Sequence, residues 1–491
     1  MLVERVIVRQ PGGEGLEKIQ LGARHAQRIS AQVLGHHDGH RLSSGAAAAQ
    51  GKAGATFARV IGDGTADPEA PGLGRSPYRR AWCTFETVRD YRIIALVASG
   101  HLLSHFFQLV LPPLFPVLRE ELGVGYVALG LLMTLFYTAS GLGQTVAGFL
   151  VDRYGARRIL GGGLAVLAGS VVATGLAPSY GALLPIAVAG GLGNAVFHPA
   201  DYSILNTRLE SRRLGRAYSL HSIAGNLGWI AAPPVVVGLS ALYGWRVALV
   251  AVGLVGFVVA AVIATRRDVL GEALPAPRAT GPAGVVADVR LLLATPILMA
   301  FAYFALLSAS MAGMQTFSVP ALVSIYGAPL GVATGALTAY LLGNAAGTLA
   351  GGVLADRTSR HDVVAATGML ASAALALAVG SGSSPVTMLA TVMGLVGLCK
   401  GVTSPSRDML VRSATPTRAS GKVFGFVYSG LDLGALAMPP LYGWLMDRGE
   451  PRAVFVVAAG LMVITVVTVL QFRRRALAAV APSPAGSTAG S

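Results

Sequence analysis

The sequence predicts an all-α polytopic membrane protein of twelve transmembrane helices, arranged as two pseudo-symmetric six-helix bundles. Three observations predict it. Of 491 residues, 53% are hydrophobic and 12% are charged, about half the charged share of a soluble domain. The apolar residues gather into segments of about 20, the length that crosses roughly 30 Å of hydrocarbon. The second half of the chain repeats landmarks of the first at a nearly constant offset.

Residues 1–90 stand apart. They are rich in Gly, Ala, Arg and His and show no sustained apolar periodicity. Such a segment buries too little apolar surface to offset its ordering entropy, so a disordered extension is expected. His36, His37 and His40 read there as part of a polar tail rather than a metal site. No secretory signal is seen, because the first apolar run starts near Arg92.

The apolar spans then run 93–118, 126–151, 159–177, 181–206, 216–242, 246–266, 294–325, 331–355, 363–380, 385–409, 422–446 and 452–472. The longest interruption, 267–290, holds Pro275, Pro277, Gly281 and Pro282 and divides the helices six and six. The expected domains are a bundle over 91–266, a central loop over 267–290, a bundle over 291–473 and a disordered tail over 474–491. Abundant Gly (63 residues) suits membrane helices that pack through small residues. Cys83 and Cys399 imply no disulfide framework.

The net charge of +15 does not point to nucleic acid. Lys and Arg concentrate in the even-numbered loops and the C-terminal tail, as at Arg153, Arg157, Arg158, Arg208, Arg212, Arg213 and Arg473 to Arg475. The odd-numbered loops hold Arg119, Arg246, Arg448 and Arg452. That asymmetry places the even loops and both termini in the cytoplasm, with the lipid bilayer as the main partner.

The repeat is specific. Gly148, Asp152 and Arg153 match Gly352, Asp356 and Arg357 at an offset of 204, as Leu102-Leu103-Ser104 match Leu306-Leu307-Ser308. Later the offset is 206: Pro199 matches Pro405, and Asn226-Leu227-Gly228 matches Asp432-Leu433-Gly434. Parallel six-helix repeats place a solute site between the halves near the midplane.

Ionisable groups inside membrane helices cost roughly 2.5–3.5 kcal/mol each on insertion scales, so by default they line a cavity or a proton path. Asp432 is the leading candidate. Its repeat partner is neutral Asn226, so the architecture requires no charge there. It either couples protons to solute movement or partners a cation or a helix end. Lys400, whose repeat partner is Asn194, either pairs with Asp432, attracts an anionic solute or snorkels to the interface. His101, His105 and Gln108 share one face of the first span. They read as solute-binding or proton-relaying groups, or as interhelical hydrogen bonds. No third ligand for a metal is evident, and no metal is expected. His198, Asp201, Arg407 and Asp408 lie near the even-loop ends of spans four and ten. They suit a cross-half ion pair that forms on closure, or ordinary interfacial charges. His221 is as readily a packing histidine as a functional one. Asn344, Gln315 and Tyr428 are candidate lining groups.

The stretch Gly148 to Arg158, with Asp152, Arg153, Gly155, Arg157 and Arg158, resembles the signature between helices 2 and 3 of the major facilitator superfamily, and its second copy strengthens the likeness. The resemblance covers about residues 92–475. Within that superfamily, Ser99-Gly100-His101, Phe197-His198-Pro199 and Gly225-Asn226-Leu227-Gly228 are similar to the fosmidomycin-resistance efflux branch. That branch carries an acidic residue four after the helix 1 histidine, where this chain has His105. It carries another after the His-Pro pair, where this chain has Ala200 and then Asp201. The resemblance implies a gate latch at Asp152 and Arg153, repeated at Gly352, Asp356 and Arg357. Gly148 would permit close helix approach, and Asp152 would oppose the N-terminal end of helix 11. It also implies a secondary active transporter of the bacterial inner membrane, acting as a monomer on a small molecule and protons. Proton-coupled efflux of a drug or metabolite is the first expectation, uptake of an organic anion or metabolite the second, and a non-transporting receptor the third. No enzyme constellation and no cofactor motif is visible.

Overall fold

The computed structural model describes residues 77–271, 292–413 and 420–480. The expected N-terminal extension up to residue 76, with His36, His37 and His40, lies outside them, as do most of the central loop and the chain's last residues.

The first traverse is two helices, α1 (Pro77–Gln108) and α2 (Phe115–Leu122), joined through a 3₁₀ turn at Pro112–Leu114. Pro112 and Pro113 lack the N–H groups that would continue the α1 ladder. Helices α3 (Tyr126–Tyr154) and α4 (Ala156–Leu176) meet at Gly155, and α7 (Ser211–Tyr243) and α8 (Trp245–Thr265) meet at Gly244. These two glycines have φ of 88° and 81°, a conformation strained for any residue with a Cβ. Between them the fourth traverse breaks into α5 (Tyr180–Asn194) and α6 (Phe197–Arg208).

The second bundle follows the same plan. Helices α9 (Thr295–Ala312) and α10 (Ser318–Tyr326) are joined by a π-turn at Gly313–Phe317. Then come α11 (Leu330–Arg357), α12 (His361–Gly380) and α13 (Leu389–Ser413). Helices α14 (Ser420–Ala437) and α15 (Pro439–Asp447) form the eleventh traverse, interrupted at Met438, and α16 (Pro451–Val480) is the last. Among the described residues, 11 spans are long and apolar enough to cross a membrane. The interrupted eleventh traverse completes the twelve. α1 starts ahead of the expected boundary at residue 91, and α16 runs past residue 473.

Water cannot drive helix association in lipid, so close packing through small residues must. The α11–α13 pair shows this most directly. A Cβ on Gly343, Gly347 or Gly351 would lie 2.0, 2.2 or 2.4 Å from the carbonyls of Gly394, Leu398 and Val402. From the other side, a Cβ on Gly397 or Gly401 would lie 2.0 or 2.2 Å from the carbonyls of Tyr340 and Asn344. The two backbones therefore touch along their length.

The bundles meet firmly at the odd-loop end. The rings of Phe115 and Phe317, each fully buried, lie 5.7 Å apart across the seam. Asp447, the last residue of α15, accepts hydrogen bonds from the N–H groups of Tyr126 (2.7 Å) and Val127 (2.9 Å). One bundle thus caps the first turn of a helix in the other, where a carboxylate also opposes the positive helix end. Farther along the seam, the Thr134 hydroxyl donates to the Leu436 carbonyl at 2.7 Å. Replacing Asp447 by Ala should cost about 1 kcal/mol, the usual worth of such a cap. Spin labels at Glu120 and Glu450 should then report longer and broader distances than in the parent, whereas an unchanged distribution would show that this contact does not hold the end shut.

Candidate functional site

Among the described residues, two polar clusters stand out inside the membrane-spanning part. The first is related by the repeat. In the N-terminal bundle, the Asn194 amide donates to the Ser140 hydroxyl at 2.9 Å. Its carbonyl oxygen accepts from Ser104 (2.8 Å) and Gln108 (3.2 Å), and Trp229 donates to Gln108 at 3.2 Å. Helices α1, α3, α5 and α7 are thereby tied together. In the C-terminal bundle, the Lys400 ammonium donates to Asn344 Oδ1 at 3.0 Å. Lys400 is the repeat counterpart of Asn194, and Asn344 that of Ser140 at the offset of 204. The same pair of positions therefore bonds in both halves, through an amide and a hydroxyl in one and through a lysine amine and an amide in the other. Lys400 is 5% exposed and Asn344 7%. An ammonium has three donors, and among the described residues it finds this one neutral acceptor. Gln108 also faces a pocket lined by Phe107, Leu132, Met133, Phe136 and Ser170.

Asp432, on α14, stands half-buried at the seam between the bundles. It faces Gly141 of α3, where a Cβ would lie 3.5 Å from the Asp432 Cβ. The structure does not bring it to Lys400. Its repeat partner Asn226 donates within its own helix, to the Ser222 carbonyl at 3.0 Å. Gln315 sits in the π-turn, with its amide nitrogen buried and without a hydrogen bond. The Tyr428 side chain lies outside the described residues.

The second cluster joins α1, α6 and α7. Asp201 is fully buried rather than interfacial. Its Oδ2 lies 2.9 Å from His221 Nε2 and 3.3 Å from His101 Nδ1. The His101 and His221 rings stack at 3.6 Å, His105 lies 4.4 Å from His101, and Trp229 lies 4.2 Å from His105. His198, 5.5 Å from His101, is exposed and stacks on Tyr202. His101 Nδ1, His105 Nδ1 and Asp201 Oδ1 are buried without a hydrogen bond. Each such orphan costs about 1–3 kcal/mol, so three in one cluster call for an occupant or a function. His221, which the sequence leaves equally a packing or a functional histidine, is here a direct partner of Asp201. Its spacing of four from Gly225, on the face that meets the His101 helix, is the signal that could have found it. Arg407 donates to the adjacent Asp408 at 2.8 Å and lies over the Phe304 ring, so this structure holds it away from Asp201.

The Gly148 to Arg158 stretch divides by burial. Asp152 and Arg153 are exposed, and a Cβ on Gly148 would meet nothing within 4 Å. Gly352, Asp356 and Arg357 behave alike, with open space at Gly352 and exposed side chains at the other two. Arg157 is buried and donates to the Ala264 carbonyl near the end of α8, where a cation also suits the negative helix end. It thus braces its own bundle. Arg158 is exposed.

Comparison with known proteins follows the same outline. The sequence pattern described as Major Facilitator Superfamily matches residues 97–336 and 305–489. The fosmidomycin resistance protein of Escherichia coli (strain K12) is 27% identical over 394 residues, which is 77% of this chain and 92% of that protein. The hexuronate transporter of the same strain is 26% identical over 168 residues, 34% of this chain and 38% of the relative. A solved bacterial homologue of the human lysosomal transporter Spinster superposes with a TM-score of 0.66 at 17% identity, covering 80% of this chain and 99% of that one. The nucleoside transporter NupG superposes at 0.62 and 14% identity, covering 79% and 99%. With twelve traverses, repeated halves and a family pattern spanning both of them, the chain belongs to the Major Facilitator Superfamily and is a multi-pass membrane transporter.

Proposed function

We propose that the protein exports a small organic molecule across the bacterial inner membrane, driven by protons and working by alternating access as a monomer. The observation that carries this reading is Lys400: a buried ammonium, paired with one neutral amide, at a position whose repeat counterpart is a neutral polar group. It leaves donors free for a polar or anionic solute between the bundles. Asn344 on its side, and Gln108 and Asn194 on the other, supply further hydrogen bonds. Asp432, at the seam, serves as the proton-exchanging group. A seam sealed by Phe115, Phe317 and Asp447 at one end, with Asp152, Arg153, Asp356 and Arg357 exposed at the other, reads as one end-state of the cycle. On closure of the even-loop end, Gly148 and Asp152 would approach α14. Export is supported by the relative named for fosmidomycin resistance, matched over 92% of its length.

Uptake of an organic anion is the second reading. Lys400 favours it, as do relatives named for hexuronate and sulfoacetate, each matched over 38% of its length. Growth inhibition across a compound panel that includes fosmidomycin, in an efflux-deficient host, separates the two. Export predicts resistance to at least one compound with the parent protein and none with Lys400→Met. Sensitisation, or new growth on an organic anion as carbon source, would instead establish uptake.

A further inference from the structure

We infer that His101, Asp201 and His221 form a binding site for a divalent late first-row transition metal, with Zn²⁺ the best match. The ligand atoms of the three residues all lie within 4.8 Å of one another, inside the N-terminal bundle. Two of the separations, 2.9 Å and 3.3 Å to Asp201 Oδ2, already approach the roughly 3.4 Å between ligands of a tetrahedral zinc with bonds of about 2.1 Å. The remaining closure requires His101 to slide out of its stack on His221. The absence of a Cβ at Gly225 is what lets His101 sit this close to α7, since a Cβ there would lie 3.0 Å from His101 Nε2.

The unpartnered atoms fit an ion better than further hydrogen bonds. Asp201 Oδ1 and His101 Nδ1 are both buried without a hydrogen bond, and His101 Nδ1 already lies 3.3 Å from the other oxygen of the same carboxylate. Two imidazoles and one carboxylate suit Zn²⁺, Co²⁺ or Ni²⁺, whereas Mg²⁺ and Ca²⁺ require oxygen ligands. A fourth ligand is at hand in His198, which is exposed and only one ring away from His101. It gives an ion a way in from the open side. The three ligands come from α1, α6 and α7, so a bound ion would clamp those helices together. The site is independent of Asp432 and Lys400, and the transport reading does not depend on it.

Full-length protein in detergent, freed of any tag and stripped with a chelator, would be titrated with Co²⁺ while its visible absorption is recorded. Because His36, His37 and His40 could also hold metal, the titration is repeated with all three replaced by Gln. The expected result is one equivalent of Co²⁺ in both proteins, displaced by Zn²⁺ but not by Mg²⁺. Asp201→Asn and His221→Gln, made in the triple-Gln background, should each weaken binding about tenfold or more. His198→Gln, on the exposed rim, should alter the Co²⁺ spectrum even if the buried variants fail to fold. No saturable binding to the triple-Gln protein overturns the inference. So does binding that all three variants leave unchanged.

Discussion

Asp432→Asn is expected to abolish concentrative, proton-driven transport and to leave the amount of protein in the membrane unchanged. The side chain is half-buried at the seam, close to Gly141 of the opposite bundle, so the proposed rocking of the bundles would change its surroundings. A carboxylate there can take a proton in one state and release it in the other, and an amide cannot. The variant remains a good membrane protein, because a neutral group is cheaper to insert than a carboxylate. One proton crossing about 100 mV supplies roughly 2.3 kcal/mol, enough for a solute gradient on the order of 50-fold. The variant should therefore fall from a gradient of that order to simple equilibration. Compound accumulation in energised cells is the readout. A gradient equal to the parent's would remove Asp432 from the mechanism.

Gly397→Val should remove folded protein from the membrane altogether. A Cβ at this position would sit 2.0 Å from the Tyr340 carbonyl oxygen, and a backbone atom cannot swing aside as a side chain can. The helices would have to separate along a seam where glycines from both sides interlock, losing dispersion contacts over several turns. Overpacking of this kind costs typically 1–3 kcal/mol and occasionally more. Here the overlap is with a facing backbone carbonyl that no rotamer change relieves, so the loss exceeds that range and is comparable with a total stability of about 5–15 kcal/mol. Gly335→Ala is the matched control: it lies on α11, but a Cβ there meets nothing within 4 Å. Size-exclusion profiles of fluorescent fusions should show no monodisperse peak for the first and an unchanged one for the second. A normal peak for Gly397→Val would mean that α11 and α13 do not pack through these glycines.

The fold was legible because membrane helices declare themselves by length and apolarity, and because the landmarks recur at 204 and 206 residues. The interruptions were less so. Pro112 and Pro113 mark the break after α1, but the gap between Asn194 and Phe197 carries no proline, and the π-turn at Gln315 begins at Gly313, which lies close against the Tyr442 ring. In the site, the residue types were readable and their pairings were not. The repeat aligns Lys400 with Asn194, and Asn344 stands out as polar. Applying the offset once more, to Ser140, would have paired them. The Asp201 cluster depends on three helices whose approach no local pattern encodes. Asp447 reads as an ordinary loop-edge acid until its position over the first turn of α3 is seen.

The most direct test of proton-coupled export uses inside-out membrane vesicles acidified by respiration, with a fluorescent probe of the interior pH. Adding fosmidomycin, or a compound to which the parent protein confers resistance, should dissipate the gradient in vesicles carrying the parent protein. Vesicles carrying Asp432→Asn should show no change. If no compound that the cells resist moves protons, or if the variant responds as the parent does, export is not coupled to protons through Asp432.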